Sequence, residues 1–296
     1  MIVETTRPTA KVEEYLQYAS DRVNRALERF LPTEQDKPSE LHRAERYSIF
    51  AGGKRLRPAL CLAAYEACGG QGDDILPAAC ALEMVHTFSL IHDDLPCMDD
   101  DDFRRGRPTS HKVYGEGMAV LAGDALLVQA FELVSQAGNA ACVLTLAQSL
   151  GSNGMLGGQV MDILSEGKTV TLADVEYIHL HKTAALISGS LVMGAQTAGA
   201  SNSVVEGLRS FGIKIGLGFQ IIDDCLDLEQ TTETLGKDAK SDLAKGKATY
   251  PSLLGLAPSK QKASDLIESA IVEIQGLPLE HAVLESIARY ILTRVN

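Results

Sequence analysis

A long apolar stretch that ends in aspartates decides the fold expected for this chain. Residues 75–99 read ILPAACALEMVHTFSLIHDDLPCMD. The segment 75–98 is predicted to form one helix, because Pro77 suits a first turn and Pro96 is hard to accommodate inside a helix. Asp93 and Asp94 then lie on its last turn, where the helix dipole is already negative. Carboxylates in that position need a cation to offset them, which favours a metal site.

A second acidic cluster follows much later in the chain, at Asp223, Asp224 and Asp227. A helix over 210–228 is predicted to end in it, in the same manner as the first. Asp223 and Asp227 are four residues apart, so on a helix they share a face about 6 Å apart along the axis. Crowded carboxylates repel one another, and Mg²⁺ commonly binds one or two of them together with substrate phosphates. The alternative for either cluster is a solvated acidic surface.

The first cluster has a different spacing. Asp93 and Asp99 are six residues apart, which would turn them away from each other on a regular helix. Pro96 lets the chain deviate, so that both are expected to converge. For residues 99–102 taken alone, a solvated acidic surface remains the better interpretation.

The rest of the chain has helical patterning and few alternating strand patterns. Breaks are predicted at 32–39, 69–74, 151–158, 199–203, 229–247 and 258–259. No linker forces a boundary, so we expect residues 1–296 to form a single all-α domain, a helical bundle around a central cavity. The segment 183–205 is uncharged and long enough to span a bilayer, but its polar residues and glycines favour a buried helix that ends near Gly199.

Charge and cysteine content restrict the function further. The 296 residues carry a net charge of −12, which disfavours binding to nucleic acid or to an anionic membrane. Six cysteines form no Cys-x-x-Cys pair and are expected to be reduced. The first residues lack a basic region followed by an apolar run, so a secretory signal is not expected and a cytoplasmic location is predicted.

Basic residues flank both acidic clusters. Lys54 and Arg57 follow a Gly-Gly pair that permits a tight turn, Arg104 and Arg105 follow the first cluster, and others occur at 182 and 237. Guanidinium groups bind phosphate oxygens in a fork, and lysine adds a point charge. Any one of these residues alone could be an ordinary surface charge. Together they predict two diphosphates, one held through Mg²⁺ and one held directly by Lys and Arg.

At this point the sequence resembles a known family. Residues 93–105 are similar to the first aspartate-rich motif of trans-polyprenyl diphosphate synthases, and residues 223–227 to the second. Further matches occur, in order, at Gly52 to Pro58, His86, Lys182-Thr183, Phe219-Gln220 and Lys237. The resemblance covers roughly residues 40–255 and is strongest to bacterial farnesyl diphosphate synthases, which share the two extra residues in the first motif. It implies the isoprenoid synthase fold. A homodimer is implied by the resemblance alone and by no feature of the sequence.

The resemblance also implies site residues. Asp93 and Asp99 would bind two Mg²⁺ ions and Asp223 a third, with Mn²⁺ as a possible substitute. Asp94, Asp224 and Asp227 would support them. The metal ions, with Arg104, Lys182 and Lys237, would hold the allylic diphosphate, dimethylallyl or geranyl. Isopentenyl diphosphate would be held by Lys54, Arg57, His86 and Arg105, although His86 could instead be a core histidine. Thr183 and Gln220 would face the allylic carbon.

The implied reaction is ionisation, condensation and elimination. The metal ions and cations stabilise the departing pyrophosphate, and the allylic cation must be kept from water. Residues 229–247 are predicted to close over the diphosphate as a lid, with a plain exposed loop as the alternative. Phe88, with Ser89 beside it, is predicted to limit the product to C15 farnesyl diphosphate. The alternatives are a C20 or C10 product, and less readily a terpene cyclase or a non-catalytic synthase subunit.

Overall fold

The computed structural model describes residues 11–233 and 249–293. These residues are predominantly helical, which confirms the all-α prediction. The N-terminal elements are as follows: α1 Val12–Phe30, α2 Ser39–Ile49, α3 Leu56–Ala67, α4 Leu76–Asp93, β1 Phe103–Arg104, β2 Arg107–Pro108, α5 Ser110–Tyr114 and α6 Glu116–Gln136. The two short strands pair antiparallel, with Phe103 opposite Pro108.

The later elements include one π-helix. They are α7 Ala140–Leu150, α8 Met155–Ser165, α9 Leu172–Ile178, the π-helix His179–Ala184, α10 Ala185–Thr197, α11 Asn202–Glu233, α12 Tyr250–Leu254, α13 Leu256–Gln275 and α14 Ala282–Thr293. The described chain divides into two compact units. One comprises residues 11–62 and 71–143, and the other comprises residues 63–70, 144–233 and 249–293.

Helix α4 forms the core of the first unit. It is apolar on nearly every side, and residues from Leu76 to Ile91 are mostly buried. A helix that is apolar all round must be enclosed by others, and α4 packs against α6, α1 and α2. This burial fixes the direction in which the aspartates at its end point.

Helix α11 has the same role in the second unit, where it packs against α10, α13 and the π-helix. Two glycines one turn apart permit this close packing. A Cβ atom at Gly212 would lie 2.5 Å from Ser188 Cα, and one at Gly216 would lie 2.6 Å from Ala184 Cα. A larger residue at Gly212 would push α11 away from α10, and one at Gly216 would push it away from the π-helix. The spacing of α11 from both helices is therefore set by backbone contact.

Most of the predicted breaks separate helices, but four boundaries differ. Helix α4 covers Leu76–Asp93 rather than 75–98, because the chain turns from Asp94 onward, ahead of Pro96. Helix α11 extends from Asn202 to Glu233 rather than over 210–228, so the break expected from residue 229 begins later. Residues 155–158 of the predicted break lie inside α8, and Pro258 lies in the first turn of α13, where a proline is tolerated. The break before α13 occurs instead at Gly255.

The uncharged segment 183–205 contains a buried helix, as predicted. Helix α10 ends at Thr197, and its residues 186–195 are all buried. Among the described residues, only α6 is long and apolar enough to cross a bilayer by length and composition, a test that core helices also pass. The six cysteines all lie in the described ranges, and none of them is in a disulfide.

Candidate active site

The first aspartate motif begins where α4 ends. Asp93 is the last residue of the helix and Asp94 is its C-cap. The chain then turns through Pro96, and the backbone N–H of Asp99 donates a 2.8 Å hydrogen bond to the carbonyl of Asp93. This turn brings the backbones of the two residues together across six positions of sequence. That both carboxylates bind one metal site stays a prediction.

Asp94 is directed into the protein and is only 3% exposed. Its Oδ1 accepts a 2.6 Å hydrogen bond from Nε of Arg104. Burial raises the pKa of Asp94 above its ordinary value, although the hydrogen bond and charge of Arg104 oppose the rise. Arg104 also contacts Asp101 at 3.4 Å. The arginine predicted to hold the allylic diphosphate is thus positioned by two aspartates.

The basic loop before α3 is built on glycines and on a buried arginine. Gly52 and Gly53 have φ angles of +96° and +117°, which other residues rarely adopt. Arg105 lies against this loop: its Nη1 donates to the Gly52 carbonyl, and a Cβ atom at Gly53 would lie 2.5 Å from its guanidinium carbon. Lys54 is exposed beside them. The loop therefore brings Lys54 and Arg105 to the same place, as predicted for the isopentenyl diphosphate site.

Arg55 was not singled out from the sequence, where it is one of three basic residues among positions 54–57. Its side chain is 2% exposed and pairs with Glu83 of α4 at 2.6 Å. It also donates to the carbonyls of Ile49 and Gly52, at 2.6 and 3.1 Å. Arg55 therefore holds the loop against α4 from the buried side. No signal in the sequence distinguishes it from its basic neighbours.

His86 lies on α4 close to Arg57, with 3.3 Å between His86 Nε2 and Arg57 Nη1. Burial first, and then the charges of Arg57 and Arg105, hold the pKa of His86 well below its ordinary value. The imidazole is therefore neutral near pH 7. A neutral histidine beside an arginine can still donate a hydrogen bond to a phosphate oxygen.

Phe88 and Ser89 lie on different sides of α4. At about 100° per residue, Ser89 lies within about 40° of Asp93 around the helix, whereas Phe88 lies about 140° away. The Phe88 ring packs edge-on against His92, with 5.5 Å between centroids. His92 in turn contacts the Val120 carbonyl of α6 at 3.0 Å. Ser89, rather than Phe88, therefore shares the face of the helix that carries Asp93.

In the second unit, the π-helix carries Lys182 and Thr183. Its packing against α8 is close, because a Cβ atom at Gly158 would lie 2.2 Å from the backbone nitrogen of Lys182. Asp162 of α8 accepts a 2.6 Å hydrogen bond from Lys182 Nζ. Single π-turns inside helical segments occur frequently at functional sites. Asp162 was not identified from the sequence as a site residue. The signal that could have found it is its position four residues after Gly158, on the same helix α8.

Thr183 connects the π-helix to the second aspartate motif. Its hydroxyl donates to Oε1 of Gln220 at 2.7 Å, and Nε2 of Gln220 donates to Asp224 at 3.2 Å. Burial is the main reason that the pKa of Asp224 is raised, to about 7. Asp223 is partly exposed and Asp227 is exposed, on the same face of α11. Thr183, Gln220 and the second motif thus form one connected group.

Only the first motif lies at the end of a helix, where the dipole is negative. Asp93 ends α4, but α11 continues nearly three turns beyond Asp223. The prediction that the second helix ends in its aspartates is therefore wrong. The reason is that no proline or glycine follows Asp227 before residue 236, so nothing local stops the helix.

The donor set of both motifs fits Mg²⁺. Each offers two partly or fully exposed carboxylates, in a turn at 93–99 and one helical turn apart at 223–227. Within the described residues no group of three or more His, Cys, Asp or Glu side chains is placed to hold a metal ion without other ligands. An open pair of carboxylates is what Mg²⁺ uses when substrate phosphates and water complete its shell. Lys237 and most of the proposed lid at 229–247 lie outside the described residues.

Comparison with known proteins identifies the family of this chain. The Polyprenyl synthetase family model matches residues 38–277, and the chain belongs to that family of prenyltransferases. A FPP/GFPP synthase from Zymomonas mobilis, solved as an apo crystal structure, has a TM-score of 0.83 at 35% identity, over 95% of this chain and 98% of that one. The solved structures support the isoprenoid synthase fold.

Two further relatives bear on the metal and the product. A geranyltransferase from Helicobacter pylori, crystallised with magnesium and isoprenyl diphosphate, has a TM-score of 0.77 at 35% identity, over 94% of this chain and 96% of that one. The chloroplastic geranylgeranyl pyrophosphate synthase of Capsicum annuum is 50% identical over 93% of this chain and 76% of its own length.

These relatives correct one prediction and redirect another. The cytoplasmic prediction is wrong, because similar relatives from several plants are named as chloroplastic enzymes. Their names also specify geranylgeranyl diphosphate, so the comparisons favour the alternative C20 product over farnesyl diphosphate. Composition and motif order cannot separate these products, since both require the same chemistry.

Proposed function

We propose that this protein is a Mg²⁺-dependent prenyltransferase that adds isopentenyl diphosphate to allylic diphosphates to give geranylgeranyl diphosphate. The observation that carries the C20 product is the 50% identity to a geranylgeranyl pyrophosphate synthase over nearly the whole chain. The side of α4 that carries Asp93 supports it. The small Ser89 lies on that face about one turn before Asp93, where a large residue would stop a growing chain early.

The site residues have separate tasks in this proposal. Asp93 and Asp99 hold Mg²⁺ at the first motif, and Asp223 holds it at the second. Bound Mg²⁺ supplies charge stabilisation for the departing pyrophosphate. Lys182 and Arg104, each positioned by aspartates, bind the allylic diphosphate. Its conversion to a cation requires a site that excludes water.

The second diphosphate is bound without metal in this proposal. Lys54, Arg57 and Arg105 bind the phosphates of isopentenyl diphosphate, and neutral His86 adds a hydrogen bond. Thr183 and Gln220 orient the allylic substrate. The bond from the allylic carbon to pyrophosphate breaks, the double bond of isopentenyl diphosphate forms a new bond to that carbon, and the released pyrophosphate takes up the proton that the new chain loses. The second diphosphate site favours a condensing enzyme over a terpene cyclase, which needs only one.

The product is tested by incubation with radiolabelled isopentenyl diphosphate, Mg²⁺ and each of three primers, namely dimethylallyl, geranyl and farnesyl diphosphate. Geranylgeranyl diphosphate is expected as the main product from each primer, with no turnover when Mg²⁺ is chelated by EDTA. Failure to extend farnesyl diphosphate, with C15 as the end product, would restore the farnesyl alternative. No product from any primer would refute the proposed function.

A pair of variants at neighbouring positions tests which residue limits the chain. Ser89→Tyr places a large ring on the face of α4 that carries Asp93, and we expect the main product to shorten from C20 to C15. Phe88→Leu is the matched control, since Phe88 faces His92 and α6. It should leave the product length unchanged. A longer product from Phe88→Leu would show that Phe88 is the limiting residue after all.

A further inference from the structure

Asp224 lies at the centre of a buried hydrogen-bond network. Its side chain is 8% exposed, and both of its carboxylate oxygens have protein partners. Oδ1 accepts from Gln220 Nε2 at 3.2 Å, and Oδ2 accepts from the backbone N–H of Tyr250 at 3.1 Å. His179 Nε2 also lies 3.3 Å from Oδ2. Little of this carboxylate is left for a metal ion.

The network determines how Gln220 is oriented. Because its Nε2 donates to Asp224, its Oε1 is turned toward Thr183, whose hydroxyl donates to it at 2.7 Å. Exchanging the amide oxygen and nitrogen would place a donor against a donor at Thr183, unless the hydroxyl also rotated. The orientation of Gln220 is therefore coupled to the hydrogen bond that Asp224 accepts.

His179 and Tyr250 support Asp224 from the other side. Their rings stack with 5.4 Å between centroids, and the Tyr250 hydroxyl donates to Glu176 of α9 at 3.0 Å. Both residues are buried. Tyr250 begins α12, which Thr249 and Ser252 cap reciprocally. The support for Asp224 thus comes from α9, the π-helix and α12 together.

On the basis of the proposed function, we propose that His179 and Asp224 are positioning residues, which hold Gln220 and Thr183 in the orientation that the allylic substrate requires. In this arrangement Asp224 is a scaffold for the second motif, and its neighbour Asp223 is the metal ligand. The two adjacent aspartates, identical in the sequence pattern, therefore have different functions.

Two substitutions of His179 separate its hydrogen bond from its ring. His179→Phe keeps a ring to stack on Tyr250 but removes the nitrogen that contacts Asp224. His179→Gln places an amide nitrogen near the position of Nε2. We expect His179→Phe to lower kcat/KM for the allylic substrate about tenfold or more, because it removes one partner from a buried carboxylate. His179→Gln should recover most of this loss.

The specificity of the effect distinguishes positioning from general damage. The KM for isopentenyl diphosphate should stay within twofold in both variants, since that substrate is assigned to residues of the first unit. Calorimetric binding of an unreactive allylic thiodiphosphate with Mg²⁺ should weaken in His179→Phe and recover in His179→Gln. An unchanged allylic kcat/KM in His179→Phe, or equal losses for both substrates, would overturn the proposal.

The paired variants Asp223→Asn and Asp224→Asn test whether Asp223 is the metal ligand and Asp224 the scaffold. They also test the proposal if His179→Phe does not fold. Asp223→Asn should raise the Mg²⁺ concentration for half-maximal activity at least fivefold. Asp224→Asn should leave that concentration unchanged while lowering allylic kcat/KM. A raised Mg²⁺ requirement in Asp224→Asn would refute the scaffold assignment. A wild-type protein that neither condenses these substrates nor binds the thiodiphosphate would refute the proposed function, and this inference with it.

Discussion

At the scale of single residues, burial separates charged groups that are alike in the sequence. Arg55 and Arg57 are two positions apart, yet Arg55 pairs with Glu83 inside the protein and Arg57 contacts His86. Asp223 and Asp224 are adjacent, yet only Asp224 is buried. Neighbouring side chains on a helix point about 100° apart, so one can face solvent while the next is buried in the core.

The Arg55–Glu83 pair gives a stability prediction. Glu83→Gln removes one charge from a pair whose side chains are each 2% exposed, and leaves Arg55 buried with its charge unbalanced. Breaking a buried pair in this way costs about 3–5 kcal/mol of the free energy of unfolding. Urea denaturation measures this loss. The control is Glu40→Gln in the exposed pair with Arg43, for which about 0.5 kcal/mol or less is expected.

The same pair should affect binding of isopentenyl diphosphate. Arg55 anchors the loop that carries Lys54, so Glu83→Gln should raise the KM for isopentenyl diphosphate more than the KM for the allylic substrate. Equal stability of Glu83→Gln and Glu40→Gln would contradict the proposed anchoring.

His86 gives a prediction for pH. Its pKa in the folded protein is well below the ordinary value, whereas the unfolded chain takes up a proton near pH 6.5. The unfolded state therefore binds more protons as the pH falls below about 6.5, and the free energy of unfolding falls with it. His86→Gln should remove this part of the acid sensitivity, as measured by urea denaturation at pH 7.5, 6 and 5.

Isopentenyl diphosphate serves as a second arm of that experiment. A bound diphosphate beside His86 stabilises the protonated imidazole and raises its pKa, so the wild type should become less sensitive to acid when the ligand is present. If His86→Gln without ligand loses as much stability on acidification as the wild type does, other groups dominate that loss.

At the scale of elements, the end of α4 was predicted to within five residues, whereas α11 continues past the predicted end. Pro96 is a local signal that stops a helix, and α4 ends at Asp93, three residues before it. The extension of α11 past Asp227 depends on packing against α13 and on the lack of a local stop. The π-helix was also invisible in the sequence, because it arises where α8 and α11 approach it through Gly158 and Gly216.

The close contact at Gly158 can be tested directly. In Gly158→Ala the new Cβ would meet the backbone of Lys182 at 2.2 Å, so α8 and the π-helix must separate and Lys182 must move from Asp162. We expect kcat to fall at least tenfold, together with a lower melting temperature. Gly117→Ala, at the start of α6, is the control, because nothing lies within 4 Å of its new Cβ. Its kcat should stay within twofold of the wild-type value.

At the scale of the whole molecule, the resemblance predicts a homodimer, and α6 offers a surface for it. Leu121 and Val128 are 56% and 65% exposed and lie seven residues apart, on one face of the helix. Large apolar side chains that are exposed along one face of a helix are unfavourable in water unless a partner covers them. Neither composition nor periodicity could assign this face to a second copy of the chain.

Sedimentation of a Leu121→Glu/Val128→Glu variant tests this interface. We expect the wild type to sediment as a dimer at micromolar concentration and the variant to be mostly monomeric. The control places the same two charges at positions that are already exposed and polar, such as Gln136→Glu and Ser135→Glu at the end of α6. A wild-type monomer would contradict the prediction.

Helix α4 has a consequence for how such enzymes can diverge. His86, Ser89 and Asp93 lie along one face of a single continuous helix, so an inserted residue between Ser89 and Asp93 would turn the aspartate by about 100° away from the others. Substitution along this helix can therefore change product length without altering the register of His86, Ser89 and Asp93. An insertion after Asp93 leaves that register intact as well, but it must preserve the turn through Pro96 that brings Asp99 back to Asp93.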